Sequence, residues 1–488
     1  MIPGPSGSTP PPVPRHGFPS QISALPNRRL EALLHGAVLP LLARLSAPNI
    51  MVVSMMTGVT VADAWFVSHL GVEALAALAL VFPVQALMQM MSAGAMGGGV
   101  SSAVARALGA RRVARAEEVV LHAGMIALGM ASLFILIAGA GAPFLFALLG
   151  GRGAVLDGAV AYGQIAFGGA LAMWLANTCA SVLRGTGNMV VPAVTILGSS
   201  ALQILLSGAL TLGLGPFPAL GIRGPATALV CAFTLATLGM VGYLAAGRAP
   251  VRLRLHGFTP RWDLFRDILK VGAVACGNAL LTIATVLLVT RLVAREGTAA
   301  LAGYGLGSRL ELMLVPISFG VGAALTVGVG TNVGAGQHAR ARRIAWSGAL
   351  FVGVVTGMVG WVAALRPSWW LAHFTAHPDA YAYGAHYLTL VAPFYGFFGL
   401  GMALYFASQG TGNMVWAFTA GVIRLLVAGG LGAVLVLGFD AGADGLFACV
   451  AAGLVAFGAL LAASLRTRVW YPPAPGAQPE RLLATGKG

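Results

Sequence analysis

Few ionisable side chains stand inside the apolar stretches of this 488-residue sequence, so those that do are the first candidates for chemistry. Asp63 closes the run Asn49-Ile-Met-Val-Val-Ser-Met-Met-Thr-Gly-Val-Thr-Val-Ala-Asp63. At about 100° per residue, Asn49, Met56, Thr60 and Asp63 fall on one stripe of a helix. A carboxylate at membrane depth costs about 2.5 to 3.5 kcal/mol on insertion scales, so such a group faces a bundle interior or a wet cavity. A lone acid in that setting can take up and release a cation, a proton included, as its surroundings change. Glu311 is the other acid within an apolar segment, and Arg309 is too close in sequence to face it on a helix. Arg424 is the matching basic oddity, expected to be an interlobe or carbonyl-bonded structural charge rather than a ligand for a cation, which it would repel. Catalysis at depth would need paired carboxylates, a Ser-His pair or a metal cluster. His122 lies near the end of its segment and supplies none of these, so the chain is not read as an enzyme. The run Gly94 to Gly99 lets helices approach rather than cradle phosphate, since no Walker pattern accompanies it.

The elements that position these groups follow from composition. With 58% hydrophobic residues, 9% charged residues and a mean hydropathy of +0.86, the chain is a polytopic, all-α membrane protein. Cys179, Cys231, Cys276 and Cys449 stand singly in apolar segments and read as small buried hydrophobes. No cofactor or metal is expected. A span needs about 20 apolar residues, which predicts twelve: 46 to 68, 76 to 104, 117 to 140, 158 to 183, 190 to 213, 225 to 246, 271 to 293, 299 to 329, 344 to 364, 384 to 408, 414 to 438 and 445 to 465. An even number puts both termini on one side. The loops on that side carry Arg106, Arg111, Arg112, Arg115, Arg184 and Arg340 among others, whereas the opposite loops carry Arg152, Arg223, Arg291, Arg295 and Arg366. Both termini are therefore expected in the cytoplasm, in the cell membrane. The same rule accounts for the net charge of +15, and nothing calls for nucleic acid as a partner.

Residues 1 to 26, rich in Pro, Gly and Ser, read as a disordered tail, as does 467 to 488. Residues 27 to 46 look like an interfacial lead-in to the first span, and 262 to 270 like a second interfacial helix, with residues 262, 265 and 269 on its apolar face. That second helix ends a linker, 247 to 270, between lobes 27 to 246 and 271 to 466. The lobes are copies. Gly185-Thr-Gly-Asn-Met-Val190 recurs unchanged as Gly410-Thr-Gly-Asn-Met-Val415, an offset of 225 at which Gly109-Ala110 also matches Gly334-Ala335. With six spans in each copy, the two share one orientation and are related by a pseudo-two-fold axis along the membrane normal. Such repeat interfaces are where transporters place their sites.

At this level the residues resemble the multidrug and toxic compound extrusion (MATE) family. The resemblance rests on Leu183-Arg-Gly-Thr-Gly-Asn188 with its echo Gln409-Gly-Thr-Gly-Asn413, on Ser308-Arg-Leu-Glu311 followed by Pro316, on Val329-Gly-Thr-Asn332-Val-Gly-Ala-Gly336, and on the first-span pattern ending in Asp63. It covers residues 30 to 466 and implies a V-shaped pair of six-helix lobes that export amphipathic, often cationic, organic compounds in exchange for protons or sodium. The family's first-helix acid matches Asp63. Where the fifth helix often shows Asn and Asp, this chain has Gln203 and Ser207, which share one helical face and offer Asp63 a polar partner. The second carboxylate is gone.

Those departures favour protons as the coupling ion. A sodium site wants several oxygen ligands, whereas proton coupling needs one acid whose charged form becomes less favourable as water is withdrawn. Sodium held by Asp63, Gln203 and Thr60 is the alternative. A flippase for lipid-linked oligosaccharide would want more basic residues at cavity depth than Arg309 and Arg424. Flexible thioethers and flat rings suit an adaptable pocket, which makes Met56, Tyr395 and Phe398, with Glu311, candidates for its wall; lipid-facing and interhelical packing is the alternative for such residues. The partners expected are small organic molecules and membrane lipid, with the chain acting as a monomer.

Overall fold

In lipid every backbone donor and acceptor must be met internally, and a helix does this within one segment. The computed structural model describes residues 28–253, 259–375, 377–467 and 470, so most of both predicted tails lies outside it. Among the described residues, eleven helices are long and apolar enough to cross a bilayer: Val38–Ser68, Val72–Gly109, Val113–Ala140, Val190–Leu212, Arg223–Ala245, Trp262–Glu296, Thr298–Gly334, His338–Leu365, Pro378–Thr411, Val415–Gly438 and Gly442–Ser464. The pair Gly153–Gly168 and Ala170–Gly185, bent by 45°, completes twelve as span 4. The bend falls at Gly168-Gly169, where any Cβ on Gly169 would meet the Val230 side chain. The chain is thus an all-α membrane protein of two six-helix lobes, numbered here as spans 1 to 6 and 7 to 12.

Two expectations for interfacial helices do not hold. The lead-in is a short helix, Arg28–His35, and span 1 begins directly at Val38. Leu33 and Leu34 are buried against protein rather than laid on a membrane surface. Residues 262 to 270 are the first turns of span 7, continuous with it because no helix breaker separates them from Val271. Their buried face is Leu264 and Ile268, packed with Val119 and Val120 of span 3, while Trp262 is exposed. Lobe 1 thus supplies the cover that the membrane surface was expected to give.

The copies are alike in backbone as well as sequence. Gly187 and Gly412 take the same left-handed φ, 79° and 78°, in the turns that follow spans 4 and 10. Within lobe 1, Gly185 packs on Ser101 O and Val104; within lobe 2, Gly410 packs on Thr326 O and Val329, each partner displaced by the same 225 residues. Between lobes the relation becomes reciprocal. A Cβ on Gly109 would collide with Thr331 O, and one on Gly334 would collide with Arg106 O. Residue i meets j′ and j meets i′, the signature of a two-fold contact. The pseudo-two-fold axis therefore passes between the ends of spans 2 and 8, where glycines let the backbones touch. The lobes meet along this half of the molecule, with Gly320 of span 8 on Ile50 of span 1 and Gly272 of span 7 on Met96 of span 2.

Candidate functional site

Asp63 sits near the opposite end of span 1 and is 7% exposed. Span 5 meets it with two neutral donors. Ser207 Oγ donates to Oδ1 at 2.5 Å and Gln203 Nε2 to Oδ2 at 3.4 Å. The spacing of 203 and 207, one helical turn, puts both side chains on the face that packs against span 1. No basic side chain pairs with Asp63 among the described residues. Thr60 does not join the cluster: it is exposed, and its hydroxyl donates to Met56 O at 3.2 Å. Met56 is half-buried, its Sδ accepting from Gln89 Nε2 at 3.9 Å.

That last contact opens a polar web which the reading of the sequence missed. Gln85, Gln89 and Ser92 share one face of span 2. Tyr162 of span 4 donates to Gln85 Oε1 at 3.1 Å, and Asn177 Nδ2 donates to Ser92 Oγ at 2.8 Å and Gln89 Oε1 at 3.4 Å. Their spacing of four and then three residues in an apolar helix was a legible signal. Span 2 leaves α-geometry for a π-helical stretch, Met90–Met96, at this level, a form that recurs at functional sites.

Lobe 2 uses its acid differently. Arg424 Nη2 donates to Glu311 Oε1 at 3.1 Å, and Tyr387 Oη donates to Oε2 at 3.3 Å. The guanidinium lies 5.3 Å from the Phe398 ring centroid and 5.8 Å from that of Phe457. Arg424 thus pairs within lobe 2 rather than between lobes. Tyr395 and Phe398, expected on a cavity wall, are buried in the core of lobe 2.

The closed end is fastened by groups the sequence had placed in loops. Arg106 lies inside span 2 and pairs with Asp267 of span 7 at 2.9 Å, which Lys270 also meets at 3.0 Å. Ser102 Oγ donates to Gln409 O, and Gln409 Nε2 donates to Gly94 O at 3.3 Å. Leu33 packs on the Gly187 turn of lobe 1 while its carbonyl accepts from Asn332 Nδ2 of lobe 2 at 3.0 Å, so Arg28–His35 straps both lobes. Arg184 is likewise no loop charge: it is 6% exposed, in the last turn of span 4.

Duplicated six-helix lobes joined at one end, with a buried acid toward the other, fit a membrane transporter. The family model described as MatE matches twice, at residues 48–207 and 273–434, with starts separated by the spacing of the internal repeat. The chain belongs to the MATE family and is a multi-pass integral membrane transporter of that family. It is 28% identical over 386 residues to the FAD transporter of Shewanella oneidensis, spanning 77% of this chain and 82% of that one. It is 24% identical over 262 residues to the probable multidrug resistance protein NorM of Thermotoga maritima, covering 54% and 56% of the two chains. A crystal structure of MATE in the bent conformation matches with a TM-score of 0.84 at 23% identity over 91% of this chain and 97% of that one. One in complex with MaD3S matches with 0.82 at 24% identity over 90% and 97%.

Proposed function

We propose that the chain exports amphipathic organic compounds, cationic ones first, in exchange for protons carried by Asp63. The observation that carries this reading is a buried carboxylate held by two neutral donors and, among the described residues, by no basic side chain. A hydroxyl can donate to the ionised acid and, rotated, accept from the protonated one, so Ser207 can serve both states without a change of partner. Facing inward, the ionised acid favours a cation in its lobe; facing outward, protonation removes that attraction and releases the cargo. The closed end, with its basic loops, would face the cytoplasm, as would both termini. Exchange of one proton for a singly charged cargo moves no net charge, so the pH difference drives it, at about 1.4 kcal/mol per unit; a neutral cargo would add about 2.3 kcal/mol per 100 mV of membrane potential.

A sodium site asks for several oxygens around the ion. Thr60 has turned its hydroxyl to a backbone carbonyl and Gln203 presents its amide nitrogen, which supports the proton over sodium. The likeness to a FAD transporter extends the candidate cargo to flavin nucleotides, which are anions. Counterflow of a fluorescent cation in proteoliposomes, driven by a pH gradient alone or a sodium gradient alone, tests the coupling. The wild type is expected to respond to pH only, and Asp63→Asn to neither while remaining folded. Full coupled efflux by Asp63→Asn, or drive by sodium alone, rejects the reading.

A further inference from the structure

Where the lobes meet, a gap of about 10 Å³, roughly one water, is lined by repeat-related pairs: Gly98 and Ala323, Ser101 and Thr326, Arg184 and Gln409. Members of each pair stand 225 residues apart, so the gap lies on the pseudo-two-fold axis. Its one asymmetry of charge is Arg184. The guanidinium donates through Nη2 to Ser181 Oγ at 2.8 Å, and no carboxylate pairs with it among the described residues. Arg106, Arg115, Arg261 and Arg424 all have acidic partners.

A buried guanidinium without a counter-charge is costly, so something must repay it. The fold does not require it. Lobe 2 builds the same turn, Gly410-Thr-Gly-Asn-Met-Val415, with a neutral amide at the matching position, and Gln409 meets its neighbour Gly94 O through that amide. Asp63 does not supply the missing charge either. Asn49 Nδ2 lies 3.5 Å from Met189 Sδ, just past the end of span 4. Asp63 is fourteen residues further along the same helix as Asn49, a rise of about 21 Å.

We propose that Arg184 is an oxyanion subsite of the transport cleft, taking a carboxylate or phosphate borne by the cargo when the lobes part at this end. A planar guanidinium that lines the same gap as a neutral amide from the other lobe suits such a group in geometry and charge once the gap widens. The proposal rests on the reading that the cleft carries organic cargo and is independent of which ion drives it. It also amends the count of basic groups at cavity depth, to which Arg184 must be added.

The test uses the full chain in lipid nanodiscs and two fluorescent probes with one ring system, riboflavin and riboflavin 5′-phosphate, titrated to equilibrium. The wild type is expected to prefer the phosphate by about tenfold or more, the scale of a hydrogen bond to a charged group. Arg184→Gln, which copies the residue already present in lobe 2, should bring the ratio of the two affinities to about one, and Arg184→Lys should keep part of the preference. Inorganic phosphate should compete with the phosphorylated probe alone, which keeps the proposal testable if Arg184→Gln does not fold. A wild type without phosphate preference, or a ratio unchanged in Arg184→Gln, overturns it. Nanodiscs of phosphatidylcholine and of phosphatidylglycerol separate the sources of the anion. If the preference disappears only in phosphatidylglycerol, a lipid headgroup occupies the site and the assignment to cargo is overturned. Dye counterflow by Asp63→Asn reports on proton coupling separately, so either idea can fail without the other.

Discussion

The two lobes share a scaffold and differ in what they do with charge at the same place. At the repeat offset, Asp63, Gln203 and Ser207 of lobe 1 correspond to Leu288, Ala428 and Gly432 of lobe 2. Leu288 lies against Gly429 of span 11, as Asp63 lies against span 5, so the helix contact survives while its chemistry has been erased. The acid that lobe 2 holds within its spans, Glu311, is paired with Arg424 and hydrogen-bonded by Tyr387, while Phe398 lies against the Arg424 guanidinium. An acid whose partner is a fixed cation gains little by changing its charge, because protonation would strand that cation. One whose partners are a hydroxyl and an amide can change state. Duplication supplied the frame, and on the proposed reading the partner decides which carboxylate is free to change its charge.

Breaking the comparison at its strongest point means removing the acid of lobe 1. Asp63→Asn is expected to abolish pH-driven counterflow altogether and to leave melting temperature and elution nearly unchanged, because Ser207 and Gln203 can still hydrogen-bond an amide. The reverse holds for lobe 2. Glu311→Leu strands a buried guanidinium and should cost about 3 to 5 kcal/mol of stability, read as a lowered melting temperature in detergent. Glu311→Leu with Arg424→Met should recover most of that loss and retain pH-driven counterflow. If the double variant were stable yet uncoupled, Glu311 would belong to the transport machinery and the contrast between lobes would fall.

The axis gives a finer comparison. Because Gly109 on Thr331 and Gly334 on Arg106 are copies of one contact, Gly109→Val and Gly334→Val should disturb the closed end equally, by about 1 to 3 kcal/mol, the usual cost of overpacking. The readout is modification by a membrane-impermeant thiol reagent of a cysteine placed at Ala110, which both variants should speed by similar factors. Unequal effects would show that the strap Arg28–His35 or the Arg106 pair with Asp267, both lacking a symmetric copy, dominates the closure.

Much of this arrangement can be read from residues alone, and the failures have one origin. The spans are legible because a bilayer demands long apolar runs, and the duplication because identical turns recur at one offset. The contact of Gln203 and Ser207 with Asp63 is legible because polar side chains in an apolar helix must share a face to be satisfied. Arg106 and Arg184 were placed in loops because apolar runs stop before them. The helices continue, since protein rather than lipid surrounds those last turns, span 8 of lobe 2 at Arg106 and span 2 of the same lobe beside Arg184. The same cover explains Trp262 to Lys270, where a surface helix became the start of a span. Which rings line a cleft and which fill a lobe was not legible for Tyr395 and Phe398, because periodicity marks a buried face without saying what buries it.

Thr60 gives the smallest and most pointed test. It falls on the stripe of Asp63 by helical phase, yet the structure bonds its hydroxyl to Met56 O, the i−4 carbonyl of its own helix. That bond satisfies the group locally and leaves it no role at the carboxylate. Thr60→Ala should therefore change counterflow by less than about twofold, since exposed substitutions away from special features alter stability by within about 0.5 kcal/mol. A sodium ion at Asp63 would need this oxygen among the few within reach. A loss of transport in Thr60→Ala that deepens as sodium is lowered at constant pH would return the hydroxyl to the site and make sodium, rather than the proton, the ion that distinguishes lobe 1 from lobe 2.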